Sequence, residues 1–575
     1  MLCPNGPRWV VLAGWEKQVI LYRFTRGLRL SGLASSTVLC VVLGQITAIA
    51  RPTPAQSPPE QLPSPPEKTK DADFGTRKQS VESVAELIST SDHIDSTKNK
   101  AEATDERGAN PWGPVPTEKA SLANLAPVLL RYFNYGPVFG IPGTDAGDFW
   151  HRTQLSGDWG GARTDLARHG LFFDLYSTSA YQDVASGGLK TGSAFIQNTQ
   201  LSINIDTGRA GLWSGGLFHI TLESRYGSSS PQETFTVGST VPQYTGLAFP
   251  GPFFVHDVLP TEYFLLQSLA PKFSLLLGKI NVLTVCDQTF FANSYKYDFA
   301  NLNFHKNPMA LNFYNTTTWS AVGVWTPSKK LLVAAGVFDP NSQADNFATN
   351  AFDRVNVYGT AILSYKIGGL PGQSWAQFNW TNKPKIDLGA PFGQLPSRVN
   401  SQAVGALLGI PSSQALPINY KPTSWLTIGN FSQYLFVKDH SAAIAEKLGS
   451  GQPLRGIGVF GRIGYAPEET NPVTRDASVA LFANGLSDPR PIDSFGVGVY
   501  HNGISQPLKD AIARLTEGTV TPKNENGLEI FYDFAITPAI RVIPSYQHIW
   551  NPLTAAVVKN ERGADVFLIR LSLTW

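Results

Sequence analysis

Cysteine, charge and long apolar runs are all scarce in this chain of 575 residues. Of its three cysteines, Cys3 and Cys40 lie near the N-terminus, and Cys286 alone follows them. A disulfide framework therefore cannot stabilise the main part of the chain. Charged residues make up 16% of the sequence and the formal net charge is +2. This near-neutral balance gives no reason to expect a nucleic acid as a partner.

The sequence also lacks a stretch of roughly 20 uncharged apolar residues, the length that a membrane-spanning helix requires. Glycine (52 residues), proline (41) and aromatic residues (11%) are plentiful instead. These residues favour strands and turns over helices. Low charge without a membrane helix is typical of a transmembrane β-barrel, because only every second residue of its strands must be apolar.

Residues 1–50 have the features of a secretory signal peptide. Arg23, Arg26 and Arg29 precede an apolar run, Leu33–Leu43, and Ala48-Ile49-Ala50 offers a cleavage site. The alternative is an uncleaved anchor helix, but the apolar run is short for one.

Residues 51–147 are rich first in proline and then in charge, so we expect a disordered extension. In an exported barrel protein this extension would stay in the periplasm, where peptidoglycan is one candidate partner.

From Leu171 onward the chain alternates between apolar and polar residues, as strands with one apolar face do. The terminal stretch is the clearest case: Phe567, Ile569 and Leu571 would share one face, and Arg570 and Ser572 the other. We predict about sixteen strands, at Leu171–Gln182, Ala194–Asp206, Gly215–Tyr226, Thr261–Ala270, Lys272–Ile280, Thr318–Thr326, Lys330–Phe338, Arg354–Ile367, Ser374–Lys383, Ser424–Val437, Arg455–Ala466, Asp476–Asn484, Asp493–Asn502, Asn526–Ile536, Ala539–Ile549 and Ala564–Trp575.

The connections between these strands distinguish a barrel from a β-sandwich. Short connections such as Ala270-Pro271-Lys272 mostly alternate with long ones such as Asn281–Thr317. A transmembrane barrel requires this alternation and a sandwich does not. The connection after Val437 is long where a turn is expected, and it could contain a helix. Residues 148–575 are therefore predicted to form an all-β, antiparallel transmembrane barrel in the outer membrane of a Gram-negative cell, with its apolar face against lipid.

Charged and amide residues on the polar faces of the predicted strands would point into the lumen, because a charge at the lipid midplane costs about 2–4 kcal/mol. Such groups can form hydrogen bonds with hydroxylated solutes, and the guanidinium group offers five donors. They could equally form salt bridges across the wall, or set ion selectivity. The pore-lining and substrate-binding candidates are Glu223, Arg225, Arg462, Glu529, Asp533, Arg541, Gln547 and Arg570.

Signals for enzymes and cofactors are weak. The nine histidines form no His-Glu-x-x-His pair, and no Gly-x-Ser-x-Gly motif is present. The segment Asp339-Pro-Asn-Ser-Gln-Ala-Asp345 contains oxygen ligands for calcium but lacks the full loop signature. We therefore expect no enzymatic activity and no cofactor.

One segment resembles the opening signature of the carbohydrate-selective porins, the OprB-type family. It runs from Leu155 through Gly157-Asp-Trp-Gly-Gly161 to Tyr176, and its residues 162–168 could form a short helix followed by Gly170. Weaker agreement comes from Tyr263-Phe-Leu-Leu-Gln267 with Leu277-Gly-Lys279, and from Ile543-Pro-Ser-Tyr-Gln-His-Ile-Trp-Asn-Pro552.

The resemblance covers roughly residues 148–575 and implies a sixteen-stranded outer-membrane barrel. It also implies passive diffusion of glucose and related sugars through a pore that an inward-folded loop narrows. The alternatives are a general ion and solute porin, or a structural barrel whose tail binds the cell wall. The number of copies is left open, with a homotrimer as one arrangement.

Overall fold

The computed structural model describes residues 148–575, apart from the gaps at 228–236, 241–257 and 390–418 and a set of shorter ones at 283–285, 293–294, 314, 329, 343, 345–349, 442, 445–446, 448–452 and 516–517. The predicted signal peptide (1–50) and the predicted disordered extension (51–147) lie outside the described residues. Within the described part, no helix is long and apolar enough to cross a membrane.

Sixteen antiparallel strands form a closed barrel, in which each strand pairs with its neighbours in sequence and β1 pairs with β18. Two further strands, β10 and β11, form a separate ladder in the connection between β9 and β12. The strands are β1 Leu171–Gly187, β2 Gly192–Asp206, β3 Gly216–Gly227, β4 Val258–Ala270, β5 Phe273–Asn281, β6 Thr317–Ser328, β7 Leu331–Phe338, β8 Asn356–Ile367, β9 Leu370–Thr381, β10 Lys385–Ile386, β11 Tyr420–Lys421, β12 Ser424–Val437, β13 Gly456–Tyr465, β14 Val473–Asn484, β15 Ser494–Ile504, β16 Glu525–Thr537, β17 Ile540–Trp550 and β18 Gly563–Thr574. The sixteen-stranded antiparallel barrel predicted from the sequence is confirmed.

The two ends of the barrel differ in their connections. β1 begins and β18 ends at one end, here called the terminus end, and the opposite end is called the loop end. Connections at the terminus end include turns of two residues, such as 368–369 and 538–539, whereas 282–316 and 505–524 connect strands at the loop end.

Two connections differ in length from the others at their ends of the barrel. The predicted strands left residues 183–193 between the first two strands, but β1 and β2 are joined by residues 188–191 alone. Both strands extend past their predicted ends, and Gly187 and Gly188 adopt the positive φ values of a tight turn, 67° and 65°. The connection 438–455 is long and lies at the terminus end, as expected; the helix considered there is described only in part.

Within the described residues, short α-helices flank or connect the strands: α1 Ala162–Arg168, α2 Leu302–His305, α3 Gln506–Leu515 and α4 Leu553–Lys559. The predicted helix before the first strand is therefore present. Gly170 follows α1 with a φ of +84°, a conformation that only glycine adopts without strain.

The segment before β1 binds the seam at which β1 meets β18. Arg163, on α1, donates hydrogen bonds to the carbonyl oxygens of Phe173 (2.5 Å) and Trp575 (3.2 Å). Its guanidinium group also lies 3.8 Å from the carboxylate of Asp174 and faces the ring of Trp159. The opening signature is thus structural, because it joins the two strands that close the barrel.

Side chains alternate between the outer and inner faces of the wall. On β16, Ile530, Tyr532 and Phe534 are 43–47% exposed on the outer face, whereas Glu529 and Asp533 are fully buried on the inner face. The outer face is therefore apolar and the inner face polar, as the period of two predicts.

Candidate functional site

The connection between β5 and β6, residues 282–316, folds into the barrel and is here called the inner loop. Its residues contact the inner faces of β12 to β18 and then of β1 and β2. It occupies part of the lumen, and the sequence did not identify it. The rest of the site is formed by the groups that bind it.

Arg462, on β13, is the main contact of the inner loop with the wall. It is fully buried, and its guanidinium group donates to the carbonyl oxygens of Phe304 (2.5 Å), His305 (2.7 Å) and Ala292 (3.1 Å). It also donates to the Asp287 carbonyl (3.2 Å) and pairs with the Asp287 carboxylate at 3.2 Å. One arginine thereby binds three separated parts of the loop, which suits a planar group with five fixed donors.

A second group of wall residues binds the middle of the inner loop. Arg570, on β18, donates to the carbonyl oxygens of Tyr295 (2.6 Å) and Asp298 (2.5 Å). Glu529, on β16, accepts hydrogen bonds from the backbone N–H groups of Ala300 and Asn301, both at 2.7 Å. These backbone groups of the inner loop lie outside helices and strands. The wall therefore supplies the hydrogen-bond partners that their burial requires.

Aromatic rings of the inner loop pack against glycine on the wall. Phe299 and Phe304 lie with their ring centroids 4.6 Å apart, and Phe291 lies 4.8 Å from Tyr434 of β12. A Cβ atom at Gly458 would overlap the ring of Phe291, and one at Gly498 would overlap the ring of Phe304. The wall thus has no side chain where the loop needs room, so the loop packs closely against it.

The tip of the inner loop reaches across to the first strands. The Tyr295 hydroxyl accepts a hydrogen bond from the Gln200 side chain of β2 at 2.7 Å, and the Lys296 ammonium lies 3.7 Å from the ring centroid of Tyr176 on β1. The Tyr297 hydroxyl is 3.2 Å from that of Thr574, at the terminus end. The inner loop, which leaves β5 and enters β6 at the loop end, therefore extends along the lumen toward the terminus end.

Burial perturbs the lysines of the inner loop. It lowers the pKa of Lys306 to about 7, even though the nearby Asp287 carboxylate acts in the opposite direction. It lowers the pKa of Lys296 to about 8, against the effect of Glu223 and other carboxylates. The Lys306 ammonium donates to the carbonyl oxygen of Cys286 at 2.7 Å. Cys286 is itself buried, which raises the pKa of its thiol to about 12 and makes it an unreactive apolar side chain.

Comparison with known proteins gives this barrel a family. The model of the carbohydrate-selective porins, OprB family, matches residues 190–571. The chain belongs to this family. One relative is the putative porin QuiX of Acinetobacter baylyi, which is 23% identical over 455 residues covering 72% of this chain and 92% of that protein.

One solved structure supports the fold. The high-pH structure of Pseudomonas putida OprB has a TM-score of 0.60 and 17% identity, with 75% of this chain and 100% of that chain covered. The low-pH structure of the same protein has a TM-score of 0.43 and 14% identity, covering 74% and 99%. Its membership of the porin family and its closed barrel make the protein an outer-membrane porin, and its outer face is the surface that meets lipid.

All eight predicted pore-lining residues of this porin lie on inward-facing positions of the wall, and each of them binds another protein group. Arg462, Glu529 and Arg570 contact the backbone of the inner loop, and Gln547 accepts a hydrogen bond from the Asn301 side chain at 3.2 Å. Sugar contact by any of them stays a prediction.

The remaining four candidates form two ion pairs. Arg541 pairs with Asp533 and lies 5.4 Å from the ring centroid of Tyr297. On β3, Arg225 pairs with Glu223 at 2.9 Å. In the porin, Ile543 and not Arg541 is the β17 residue opposite Arg570, and the Arg570 side chain turns to the inner loop.

The residues that the sequence analysis missed are those of the inner loop, chiefly Asp287, Tyr295, Lys296 and Tyr297. The signal for them was the length of the connection 281–317, which other long connections of the chain share.

The segment that resembled a calcium loop also has a structural role in the porin. The Asp339 carboxylate accepts hydrogen bonds from the Asn341 N–H group and the Ser342 hydroxyl, both at 2.9 Å, so it stabilises a turn. Asp345 lies outside the described residues. Among the residues that the structure describes, no group of three or more His, Cys, Asp or Glu side chains is placed to bind a metal.

Proposed function

We propose that this porin lets neutral sugars, such as glucose and related saccharides, diffuse passively through its lumen across the outer membrane. The observation that carries the proposal is the inner loop, which narrows the lumen and is bound to the wall by Arg462, Arg570 and Glu529. A narrowed lumen with a fixed set of donors and acceptors forces a passing solute to exchange hydrogen bonds with the wall.

The chemistry of the inner face favours hydroxylated solutes. Hydroxyl and amide groups lie side by side there, as in the pairs Thr178–Ser572 (3.2 Å) and Ser202–Thr221 (3.1 Å). These groups both donate and accept hydrogen bonds, which matches the hydroxyl groups of a sugar. Such a wall can replace part of the water around a sugar without requiring the solute to carry charge.

Paired charges argue against an ion channel of strong selectivity. Arg225 is 2.9 Å from Glu223, Arg462 is 3.2 Å from Asp287, and Arg541 pairs with Asp533. Opposite charges at such distances cancel most of their field beyond a few ångströms. A strongly ion-selective pore instead presents rings of one sign.

The orientation follows from the connections. Barrels of this kind have short turns in the periplasm and longer loops outside the cell. We therefore assign the terminus end to the periplasm and the loop end to the cell exterior. The residues that precede Asp148 would then lie in the periplasm.

Planar-bilayer recording of the purified protein tests this proposal. We expect single channels whose conductance falls when glucose or a maltodextrin is added, and weak preference between potassium and chloride in a salt gradient. A protein that forms no channels would contradict the pore. Channels that ignore sugars but select strongly for one ion would contradict the substrate class and favour the general ion porin.

A further inference from the structure

Part of the β3–β4 connection also enters the barrel, at the loop end. The structure describes residues 237–240 of this connection, here called the mouth segment, and all four are buried. Val237 is fully buried and packs with Val184 of β1, Ile549 of β17 and Val566 of β18. These three residues lie on the inner face of the wall, near the loop ends of their strands. The mouth segment therefore lies inside the barrel, against the wall on both sides of the seam.

Glu525 binds the other end of the mouth segment. This residue begins β16, is fully buried and belongs to the inner face of the wall. Its carboxylate accepts hydrogen bonds from the Thr240 N–H group at 2.7 Å and from the Thr240 hydroxyl at 3.0 Å. It also accepts one from the Leu553 N–H group at 3.4 Å. Hydrogen bonds to an ionised group are about twice as strong as neutral ones, so this carboxylate holds the segment firmly in place.

Gly238 fits closely between two other parts of the loop end. Its φ is +74°, and a Cβ atom there would lie 2.6 Å from Cγ of Leu189 and 2.9 Å from the backbone nitrogen of Ala555. Its carbonyl oxygen accepts hydrogen bonds from the N–H groups of Thr554 (2.7 Å) and Ala555 (3.2 Å), at the start of α4. The mouth segment is thus bound to the β1–β2 connection, to α4 and to β16.

The mouth segment and the inner loop are bound at two depths of the same strand. Glu529, which binds the inner loop at Ala300 and Asn301, follows Glu525 by four residues on the inner face of β16. At about 3.3 Å per residue, the two positions are roughly 13 Å apart along the strand. Glu525 is the one nearer the loop end. A solute that enters from the loop end therefore passes the mouth segment before it reaches the level of Glu529.

A bound segment on the inner wall reduces the cross-section through which a solute enters. A chain of several sugar units must enter a narrowed mouth end-on and loses orientational freedom, whereas a monosaccharide loses little. We propose that the mouth segment is a second constriction at the loop end, that Glu525 is its positioning residue, and that it limits the length of saccharide that enters. The saccharide part rests on the proposed function, whereas the constriction itself does not.

Polymer exclusion measures the width of this mouth. Gly238→Val would displace the mouth segment. Gly518→Val is the matched control, because Gly518 also has a positive φ (+77°) in a loop-end connection, but a Cβ atom there meets nothing within 4 Å. Polyethylene glycols of increasing mass are added to one chamber of a planar bilayer, and the smallest polymer that no longer lowers the conductance is recorded. We call this polymer the size limit of that side.

For Gly238→Val we expect a larger size limit on the loop-end side and an unchanged one on the terminus side. Gly518→Val should match the unaltered protein on both sides. All proteins carry Cys286→Ser and a biotin at Lys559→Cys, which is exposed on α4, so that streptavidin added after each recording identifies the loop-end chamber.

Glu525→Gln tests the positioning role. The amide keeps the size of the side chain but replaces one acceptor oxygen with a donor, so we expect the loop-end size limit to rise as in Gly238→Val. Glu561→Gln is the control, because Glu561 is an exposed carboxylate at the same end. In liposome swelling, the rate for maltotriose relative to glucose should rise several-fold in Gly238→Val and Glu525→Gln and stay constant in both controls.

The outcomes separate the two parts of the proposal. Folded channels of both variants with the unaltered loop-end size limit, or with an equal shift on both sides, would overturn the second constriction. If Gly238→Val does not fold, Glu525→Gln decides by the same criteria. A larger size limit with an unchanged ratio of maltotriose to glucose would overturn the limit on saccharide length. A larger size limit in channels that no saccharide crosses would support the constriction and contradict the proposed function.

Discussion

Arg462→Met tests whether the inner loop sets the width of the pore. The substitution preserves most of the side-chain volume and removes every donor of the guanidinium group, which contacts Phe304, His305, Ala292 and Asp287. The Asp287 carboxylate keeps the N–H of Asn307 and the Asn430 amide as donors, both at 2.6 Å, with the Lys306 ammonium nearby. The inner loop then loses its main contact with β13.

The size of the effect follows from the burial of the pair, because Arg462 is fully buried and Asp287 is 2% exposed. Removing one partner of a buried ion pair costs about 3–5 kcal/mol, and water in the lumen favours the lower value. A change of about 3 kcal/mol raises the ratio of displaced to bound loop roughly 150-fold, since about 1.4 kcal/mol corresponds to a factor of ten.

Single-channel recording measures this displacement. We expect a higher mean conductance, more open-channel noise and a weaker reduction of the current by glucose. The control is Arg490→Met, because Arg490 lies in the 485–493 connection outside the lumen and pairs with Asp493 at 2.9 Å. If Arg462→Met gives folded channels with the conductance and glucose response of the unaltered protein, the inner loop does not depend on this arginine and the reasoning is refuted.

Three further changes have defined outcomes. Gly458→Ala places a methyl group against the ring of Phe291, so we expect the inner loop to shift and the conductance to rise; unchanged channels would show that the loop does not need this close approach. Arg163→Ala removes the donors to the carbonyl oxygen of Trp575 at the seam. When samples are heated to increasing temperatures before electrophoresis, the variant should convert from the folded to the unfolded band at a lower temperature than the unaltered protein. Equal conversion temperatures would contradict this role. Burial lowers the pKa of Lys306 to about 7, so the unfolded or displaced loop binds the proton more tightly and the bound state gains stability as pH rises from about 7 toward 10.5. Channel noise should fall across this range and Lys306→Met should remove part of the change; a pH response that Lys306→Met leaves intact would assign it to another group.

The wall of the barrel could be predicted because its physics is local. Most outward residues are apolar and inward ones need not be, so the period of two marks each strand and also predicts which side chains face inward. Glu529, Arg462 and Arg570 were placed on the inner face by this parity alone, and the structure has them there. Strand ends were less predictable, because pairing continues past the apolar band, as in β1 up to Gly187.

The partners of these residues could not be predicted from the sequence. The carbonyl groups that Arg462 binds belong to residues 157 to 175 positions earlier in the chain. Whether a long connection enters the lumen depends on the fit between its aromatic rings and the wall, for example Phe304 against Gly498. An alternation pattern contains no information about this fit, so a residue that binds the loop and one that meets a solute have the same sequence signature.

The seam between β1 and β18 also has a kinetic meaning. Other neighbouring strands of the barrel are close in sequence, so each can pair soon after the one before it. The seam joins Thr178 to Ser572, which are 394 positions apart, and Arg163 to Trp575, which are 412 apart. Contacts across such separations form slowly, because most of the chain must already be ordered before they meet. Ring closure is therefore expected to be the last and rate-limiting step of barrel assembly, and Arg163 acts at that step.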